Sequence, residues 1–202
     1  MSEKALLRRE LLTARRLLTG EDVENAASVL SRRALGLPEL SKARTVAAYV
    51  SVGSEPGTRV LLDALRARGV RVLLPVLLPD NDLDWAAYEG ADRLARAGRG
   101  LLEPAGERLG REAVLAADAV LLPGLAVDAR GMRLGRGGGS YDRVLARLTA
   151  AGACPALVVL LYDEEVVERV PVEPHDHPVD VAVTPTAIHR TRRAEPGAAR
   201  TP

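Results

Sequence analysis

The sequence has almost no aromatic residues and a single cysteine. Phenylalanine is absent, and Trp85 with four tyrosines supplies all the aromatic mass. A large core must therefore be built from leucine, valine and alanine. The one cysteine, Cys154, excludes an intramolecular disulfide framework and a cysteine-based zinc site. Because Cys154 comes just before an apolar run at residues 156–161, we expect its thiol to be buried and unreactive.

Lysine and long apolar runs are scarce as well. Lysine occurs only at positions 4 and 42, so arginine supplies nearly all of the 28 basic residues, which face 27 acidic ones. Balanced charge with 47% hydrophobic residues is typical of a soluble globular protein. It argues against a protein that binds nucleic acid through a large net positive charge. No apolar stretch approaches the roughly 18 residues of a membrane-spanning helix, and the charges spread through residues 1–10 lead us to expect no secretory signal. We expect a cytoplasmic monomer with no nucleic-acid or membrane partner.

The apolar patterns predict alternating helices and strands. Short apolar runs of strand length lie at residues 45–50, 71–78, 119–122, 156–161 and 179–183. Segments with helical spacing precede or separate them, at residues 3–18, 21–35, 60–65, 111–117 and 140–150. This alternation predicts one three-layer α/β/α domain over residues 1–188, with a mostly parallel, Rossmann-like sheet. Residues 83–88 suit a short strand, 93–107 show no clear period, and 189–202 are expected to form a flexible tail.

Three connections are candidates for a ligand site. In a parallel α/β sheet the ligand crevice lies beyond the carboxyl ends of the strands. That rule selects residues 53–58, 123–141 and 171–178.

The segment 123–143 is the most informative of these connections. Five of its glycines alternate with Arg130, Arg133 and Arg136, directly before a predicted helix. Glycines permit close approach of a ligand to the backbone, while a helix N-terminus and guanidinium groups attract anions. The pattern predicts a polyphosphate cradle, with Asp142 placed to hold a magnesium ion. The alternative is a flexible surface loop with scattered arginines.

Common nucleotide and zinc motifs do not fit. A Walker loop needs Gly-Lys-Ser/Thr, and no lysine follows position 42. A dinucleotide fingerprint needs a third glycine where this chain has Ser140 or Asp142. His175 and His177 have no third nitrogen or sulfur ligand nearby in the sequence, so we expect no zinc site there.

Four segments form a specific set when they are read in order. They are RLGRGGGSYDR at 133–143 preceded by Pro123-Gly124 and Asp128, KALLR at 4–8, YVS at 49–51 with Glu55-Pro56, and HDHPVD at 175–180. Together they resemble the 5-formyltetrahydrofolate cyclo-ligase family, also called methenyltetrahydrofolate synthetases. The resemblance covers nearly the whole chain.

The resemblance implies an enzyme that uses ATP and Mg2+ to convert 5-formyltetrahydrofolate to 5,10-methenyltetrahydrofolate, with release of ADP and phosphate. Enzymes of the family phosphorylate the formyl oxygen, and N10 then attacks the activated carbon. Catalysis of this kind rests on positioning and charge neutralisation, with little need for a protein nucleophile. The chain indeed has no Ser-His-Asp signature.

The resemblance also implies roles for individual residues. The implied nucleotide contacts are Lys4, Arg8, Arg133, Leu134, Gly135, Arg136, Gly137, Gly138, Gly139, Ser140 and Tyr141. The implied folate contacts are Val50, Glu55, Trp85 and Tyr141, the implied metal ligands are Asp142 and Asp176, and the implied catalytic residues are Arg136, Tyr141 and Asp142. Trp85 and Tyr88, the only aromatic residues in the middle of the sequence, are candidates for walls of the folate pocket, and the alternative is that they fill the core.

One departure from the family pattern keeps alternatives open. This chain has Ser140-Tyr141 where the family usually has two tyrosines before the aspartate. With the lack of phenylalanine, this leaves a homologue of altered specificity, or a non-catalytic folate- or nucleotide-binding protein, as the second hypothesis. A third is an RNA-binding module that uses the arginine-rich loop and residues 189–193, but balanced charge and absent aromatic stacking motifs oppose it.

Overall fold

The chain alternates helices and strands in the order that its apolar patterns predict. The computed structural model describes residues 2–174 and 176–191. In this part of the chain the α-helices are α1 (Glu3–Arg15), α2 (Gly20–Leu35), α3 (Pro38–Ser41), α4 (Arg59–Ala67) and α5 (Ser140–Ala150). The strands are β1 (Thr45–Ala47), β2 (Arg71–Leu77), β3 (Leu83–Ala87), β4 (Leu94–Arg96), β5 (Leu102–Pro104), β6 (Ala119–Leu122), β7 (Ala126–Val127), β8 (Arg133–Leu134), β9 (Ala156–Leu160), β10 (Val181–Val183) and β11 (Ile188–Arg190).

Side chains fix the starts of the first two helices. The hydroxyl of Ser2 accepts a hydrogen bond from the amide of Ala5 and so caps α1. Thr19 and Asp22 form a reciprocal capping box that begins α2. Residues 111–116, predicted as α-helix, form a 3-10 helix instead.

Five parallel strands form the centre of a seven-stranded sheet. Its order is β11-β10-β9-β6-β1-β2-β3. The strands from β10 to β2 pair in parallel, whereas β3 and β11 pair antiparallel at the two edges. The prediction of a mostly parallel sheet is confirmed. All five parallel strands direct their carboxyl ends to the same edge of the sheet.

Apolar cores lie on both faces of the sheet. Helices α2 and α4 pack on one face through residues such as Leu30 and Leu61, while α5 packs on the other through Val144 and Leu148. These four side chains are almost completely buried. Helices on both faces of a central sheet give the predicted three-layer arrangement. None of the described helices has the length and apolarity that crossing a membrane requires.

Trp85 belongs to one of these cores and does not wall a ligand pocket. It is completely buried in β3 and packs in the same cluster as Val114 and Leu145. The structure therefore does not bring Trp85 to the cavity, and its position agrees with the core-filling alternative. Tyr88 is buried as well, and its hydroxyl donates a hydrogen bond to Asp63 at 2.6 Å.

Cys154 is exposed, contrary to the expectation of a buried thiol. It lies in the turn between α5 and β9, two residues before the strand begins at Ala156. The apolar run that follows is buried in the sheet, but the turn that leads into it faces solvent.

The described fold continues past residue 188, where we expected a tail to begin. Strand β11 pairs antiparallel with β10, and Thr191 is buried with its hydroxyl donating to the carbonyl of Val179 at 2.6 Å. The rest of the expected tail, residues 192–202, lies outside the described residues, as does His175.

The core position of Trp85 predicts how substitutions act. Trp85→Ala should lower the free energy of unfolding by about 3–5 kcal/mol, because it leaves a cavity in a packed core. Trp85→Phe should cost much less, since it keeps a ring and removes a buried indole N–H that has no partner among the described residues. Urea denaturation measures both changes. A Trp85→Phe protein of unchanged stability but weakened folate affinity would restore the pocket-wall assignment.

Candidate active site

A cavity of about 570 Å³ lies at the carboxyl edge of the sheet. All three connections selected from the sequence contribute to its lining, and α1 closes one side. Of the residues with an implied role, those that line it are Lys4, Arg8, Val50, Glu55, Arg133, Gly135, Arg136, Gly137, Gly138, Gly139, Ser140, Tyr141, Asp142 and Asp176. One cavity thus collects side chains from widely separated parts of the sequence.

Leu134 departs from this pattern. Side chains alternate along the short strand β8, so Arg133 lines the cavity while Leu134 packs with Leu11 and Leu125 in a small core under α1. Leu134 therefore supports the loop from below, and the structure does not bring its side chain to the cavity.

The glycines of the loop leave room for arginines beside its backbone. A Cβ atom at Gly135 would lie 2.8 Å from a guanidinium nitrogen of Arg133, and one at Gly137 would lie 3.4 Å from the guanidinium carbon of Arg8. Gly137 and Gly139 also adopt positive φ angles of 90° and 74°. Glycine is thus required both for the turn and for the close approach of two cations.

Gly139 leads directly into α5. No side chain in the described structure caps the first turn of this helix. Its N-terminus, with the positive end of the helix dipole, therefore adds to the cationic character of the cavity.

Arg133 is a buried cation in the cavity wall. Its guanidinium donates to the carbonyl of Pro123 at 2.8 Å and to Oδ1 of Asp142 at 3.1 Å. Its Nε is buried and has no partner among the described residues. Burial lowers the pKa of Arg133, while the nearby Asp142 and Tyr141 act in the opposite direction. An unsatisfied buried N–H in a cavity wall is a donor available to a ligand.

Tyr141 supplies a second unused donor. Its hydroxyl is buried and has no hydrogen-bond partner in the described part of the chain. Burial raises the pKa of Tyr141, and the neighbouring Glu55 raises it further while Arg133 opposes the change. The phenol is therefore protonated at neutral pH and can donate its proton to an oxygen of a bound ligand.

Helix α1 brings two further cations to the cavity. Lys4 Nζ lies 2.6 Å from Oδ2 of Asp176 and 2.7 Å from Oε2 of Glu173. Burial alone would lower the pKa of Lys4, but hydrogen bonds to Asp176 and Glu173 outweigh it and the pKa is raised. Arg8 Nε donates to the carbonyl of Gly135 at 2.8 Å. Helix α1 is thus tied to both the late acidic segment and the glycine loop.

Glu55 lies on another side of the same cavity. Its Oε2 accepts a hydrogen bond from the amide of Val52 at 2.8 Å, which orients the carboxylate. Its Oε1 lies 3.0 Å from Nε of Arg136, whose side chain is half exposed. The family resemblance implies that Glu55 binds folate and that Arg136 binds nucleotide. These two side chains therefore meet in the cavity.

The sequence did not point to one wall of the cavity. The hairpin of β4 and β5 contributes Arg99, Leu101, Leu102 and Glu103 to the lining. The carboxylate of Glu103 accepts from the amide of Leu77 at 2.9 Å and so ties the hairpin to the end of β2. In the sequence, the only apolar pattern of this wall is Leu101-Leu102 between Gly100 and Pro104. Two residues are too few to show the alternation of a strand.

Asp128 fixes the base of the glycine loop. Its carboxylate is buried and accepts hydrogen bonds from the backbone amides of Arg130, Met132 and Val170 at 2.9–3.1 Å. Burial acts to raise the pKa of Asp128, but hydrogen bonds from the Arg130 guanidinium and these amides outweigh it and hold the pKa below its usual range. Asp128 therefore has a structural role beneath the cavity.

Comparisons with known proteins agree with this geometry. The family profile described as "5-formyltetrahydrofolate cyclo-ligase family" matches residues 1–185. The 5-formyltetrahydrofolate cyclo-ligase of Mycolicibacterium smegmatis is 41% identical over 187 residues, which cover 90% of this chain and 93% of that protein. The chain belongs to the 5-formyltetrahydrofolate cyclo-ligase family. The family prediction is confirmed, and membership makes the chain an enzyme.

Other cyclo-ligases and solved structures extend the comparison. The 5-formyltetrahydrofolate cyclo-ligase of Escherichia coli K12 is 32% identical over 176 residues, covering 86% of this chain and 96% of its own. The 5,10-methenyltetrahydrofolate synthetase of Aquifex aeolicus superposes with a TM-score of 0.80 at 28% identity over both complete chains. The synthetase of Mycoplasma pneumoniae, at 19% identity and a TM-score of 0.69, shows the shared fold over 90% of this chain and 98% of its own.

The acidic residues of this cyclo-ligase cavity do not form a protein cage for a metal. Among residues 2–174 and 176–191, no group of three or more His, Cys, Asp or Glu side chains is arranged to hold a metal ion. Asp142 and Asp176 both line the cavity, and each contacts a cation. Mg2+ is commonly held by one or two carboxylates together with phosphate oxygens, and two separate aspartates suit that mode.

The hydrogen bonds to Asp128 predict a pH-dependent stability. An Asp in an unfolded chain has a pKa of about 3.9. Because the folded pKa is lower, the carboxylate stabilises the fold above pH 4, and this contribution disappears as the pH falls through the folded pKa. Asp128→Asn should lower the free energy of unfolding by about 2–4 kcal/mol at pH 7.

Urea denaturation of the unchanged protein and of Asp128→Asn at several pH values measures this effect. The difference between the two proteins should shrink as the pH falls from about 5 to 3. A difference that stays constant over that range would show that ionised Asp128 does not stabilise the loop.

Proposed function

We propose that this enzyme converts 5-formyltetrahydrofolate to 5,10-methenyltetrahydrofolate in a reaction that requires ATP and Mg2+ and releases ADP and phosphate. The observation that carries the proposal is that one cavity joins a glycine–arginine loop at a helix N-terminus to the oriented carboxylate of Glu55. The first part suits a polyphosphate and the second suits the donor-rich edge of a pterin. Membership of the cyclo-ligase family supports this assignment.

The residues of the loop side fit ATP. Arg133 offers a buried Nε without a partner among the described residues, Gly137 brings the loop backbone into the lining, and Lys4 and Arg8 add cations from α1. Asp142 and Asp176 would hold Mg2+ together with phosphate oxygens. When bound, Mg-ATP supplies the phosphoryl group that turns the formyl oxygen into a good leaving group.

The residues of the folate side fit a pterin and its neighbouring rings. The carboxylate of Glu55 accepts hydrogen bonds from the amino group and ring N–H of the pterin. Apolar side chains of Val50, Val52, Leu101 and Leu102 form the adjoining lining and provide contact for ring faces that aromatic residues would otherwise cover.

Arg136 and Tyr141 lie where the two ligands would meet. Arg136 already contacts Glu55, so its guanidinium is within reach of charge that develops between the folate and the phosphates. Tyr141 is held protonated by burial and donates its O–H to a reacting oxygen. Both residues act by positioning and neutralisation, and the reaction needs no protein nucleophile.

A turnover assay tests the proposal. Purified protein is incubated with 5-formyltetrahydrofolate and Mg-ATP, and the methenyl product is followed by its absorbance, with ATP omitted in the control. We expect product only when ATP is present. A folded protein that binds folate or ATP without turnover would contradict the proposal and favour a non-catalytic homologue.

Asp142 should be required for turnover. Asp142→Asn keeps the shape of the side chain but removes the charge that would hold Mg2+, so kcat should fall by about 100-fold or more. The matched control is Asp92→Asn, an exposed residue that does not line the cavity. Circular dichroism verifies the fold of both variants. An Asp142→Asn protein with normal kcat at low Mg2+ would refute the metal role.

Glu55 should discriminate between the two substrates. Glu55→Gln should raise the KM for 5-formyltetrahydrofolate by about 10-fold or more, because a charge-assisted hydrogen bond is lost, and should change the KM for ATP much less. Steady-state kinetics with each substrate varied in turn give both values, and Glu24→Gln on the exposed face of α2 serves as the control. Equal increases in both KM values would count against the assignment of Glu55 to the folate.

A further inference from the structure

A second cavity, of about 300 Å³, adjoins the first. The two cavities share Val52, Leu101 and Leu102 as lining residues. A ligand that extends past these apolar side chains therefore leaves the first cavity and enters the second. The remaining lining residues of the second cavity are Ser51, Gly53, Arg59, Arg96, Ala97 and Gly100.

The charged residues that line this second cavity are both cations. Arg59 and Arg96 line it and no acidic residue does, whereas the lining of the first cavity mixes cations with carboxylates such as Glu55 and Glu103. The guanidinium groups of Arg59 and Arg96 form no hydrogen bond or ion pair with another residue of the described chain, and both side chains are exposed. The second cavity therefore attracts anions, and its guanidinium groups remain available to form the fork-shaped contacts that carboxylates accept.

Helix α4 reinforces this charge. Arg59 is the first residue of the helix, and no side chain in the described structure caps it. The hydroxyl of the preceding Thr58 is occupied, since it donates to the carbonyl of Tyr49 at 2.8 Å and accepts from the amide of Ser51 at 2.9 Å. The positive end of the helix dipole thus lies beside a guanidinium at the same cavity.

We propose that the second cavity binds the glutamate carboxylates of the folate substrate, an inference that rests on the function proposed above. From one end to the other, 5-formyltetrahydrofolate presents pterin N–H donors, an aminobenzoyl ring and a glutamate. The cavities present matching groups in the same order: Glu55, then the shared apolar residues, then Arg59 and Arg96. Lys4, Arg8 and the glycine loop line only the first cavity, so the nucleotide keeps a separate set of cations.

Equilibrium binding of two ligands tests this proposal without requiring turnover. Isothermal titration calorimetry compares 5-formyltetrahydrofolate with the methylamide of 5-formyltetrahydropteroate, which lacks the glutamate and carries no carboxylate. The unchanged protein should bind the glutamate-containing ligand about 10-fold or more tightly, since two charge-assisted contacts are lost with the tail. Arg59→Gln/Arg96→Gln should bind both ligands with nearly equal affinity, close to that of the unchanged protein for the tail-less ligand.

Two controls separate local from general effects. Arg16→Gln/Arg32→Gln removes the same charge from exposed positions that line neither cavity and should keep the preference for the glutamate. Arg59→Lys/Arg96→Lys keeps the charge and should keep part of the preference. The affinity for ATP should be the same in every variant, and thermal unfolding verifies that each one is folded.

The possible failures are distinguishable. The tail proposal is overturned if Arg59→Gln/Arg96→Gln keeps the full preference for the glutamate, or if it weakens both ligands or ATP to the same extent. The protein could bind folate and prefer the glutamate-containing ligand, yet form no ATP-dependent product. That result would overturn the proposed reaction and support the second cavity as the glutamate site. Absence of binding of either pterin ligand to the folded, unchanged protein would overturn both proposals.

Discussion

A buried ion pair between Arg15 and Glu165 holds α1 at the carboxyl edge of the sheet, and the cavity depends on that placement. The two side chains are 2% and 4% exposed and form paired contacts of 2.6 and 2.9 Å. Arg15 also donates to the carbonyl of Gly124 at 2.8 Å and lies over the ring of Tyr162, whose hydroxyl donates to the carbonyl of Ser54. One buried guanidinium thus connects α1 to the loops on both sides of the cavity. Since removal of one partner of such a pair leaves an uncompensated buried charge, the position of α1 is strongly specified.

The charges of the cavity are already paired within the protein. Lys4 contacts Asp176, Arg133 contacts Asp142, and Arg136 contacts Glu55. These pairs reduce the cost of holding charges in a partly buried site. Under the proposed function, ligands would enter by exchanging partners: phosphates would take over contacts of the cations, while a metal ion or N–H donors would take over those of the carboxylates. The proposed function therefore places specificity in rearranged ion pairs more than in aromatic packing.

The sequence predicted those features that local pattern determines. The apolar run at residues 156–161 predicted a buried strand, and the glycine–arginine loop predicted a place in the cavity lining because close backbone approach, helix start and cations coincide in one segment. Features that depend on tertiary contacts were not predictable. The hairpin of β4 and β5 is tied to β2 by the distant contact between Glu103 and Leu77. Trp85 packs with residues from other elements, such as Val114 and Leu145, and Leu134 lies in a strand of only two residues, too short to show an alternating pattern.

The most direct measurement follows one oxygen atom through the reaction. The protein is incubated with Mg-ATP and 5-formyltetrahydrofolate carrying 18O in the formyl group, and the released phosphate is analysed by mass spectrometry. If the cavity brings the formyl oxygen and the transferred phosphoryl group together, one 18O atom should appear in phosphate for each methenyl product formed. Unlabelled phosphate, or methenyl product formed equally well without ATP, would contradict this account.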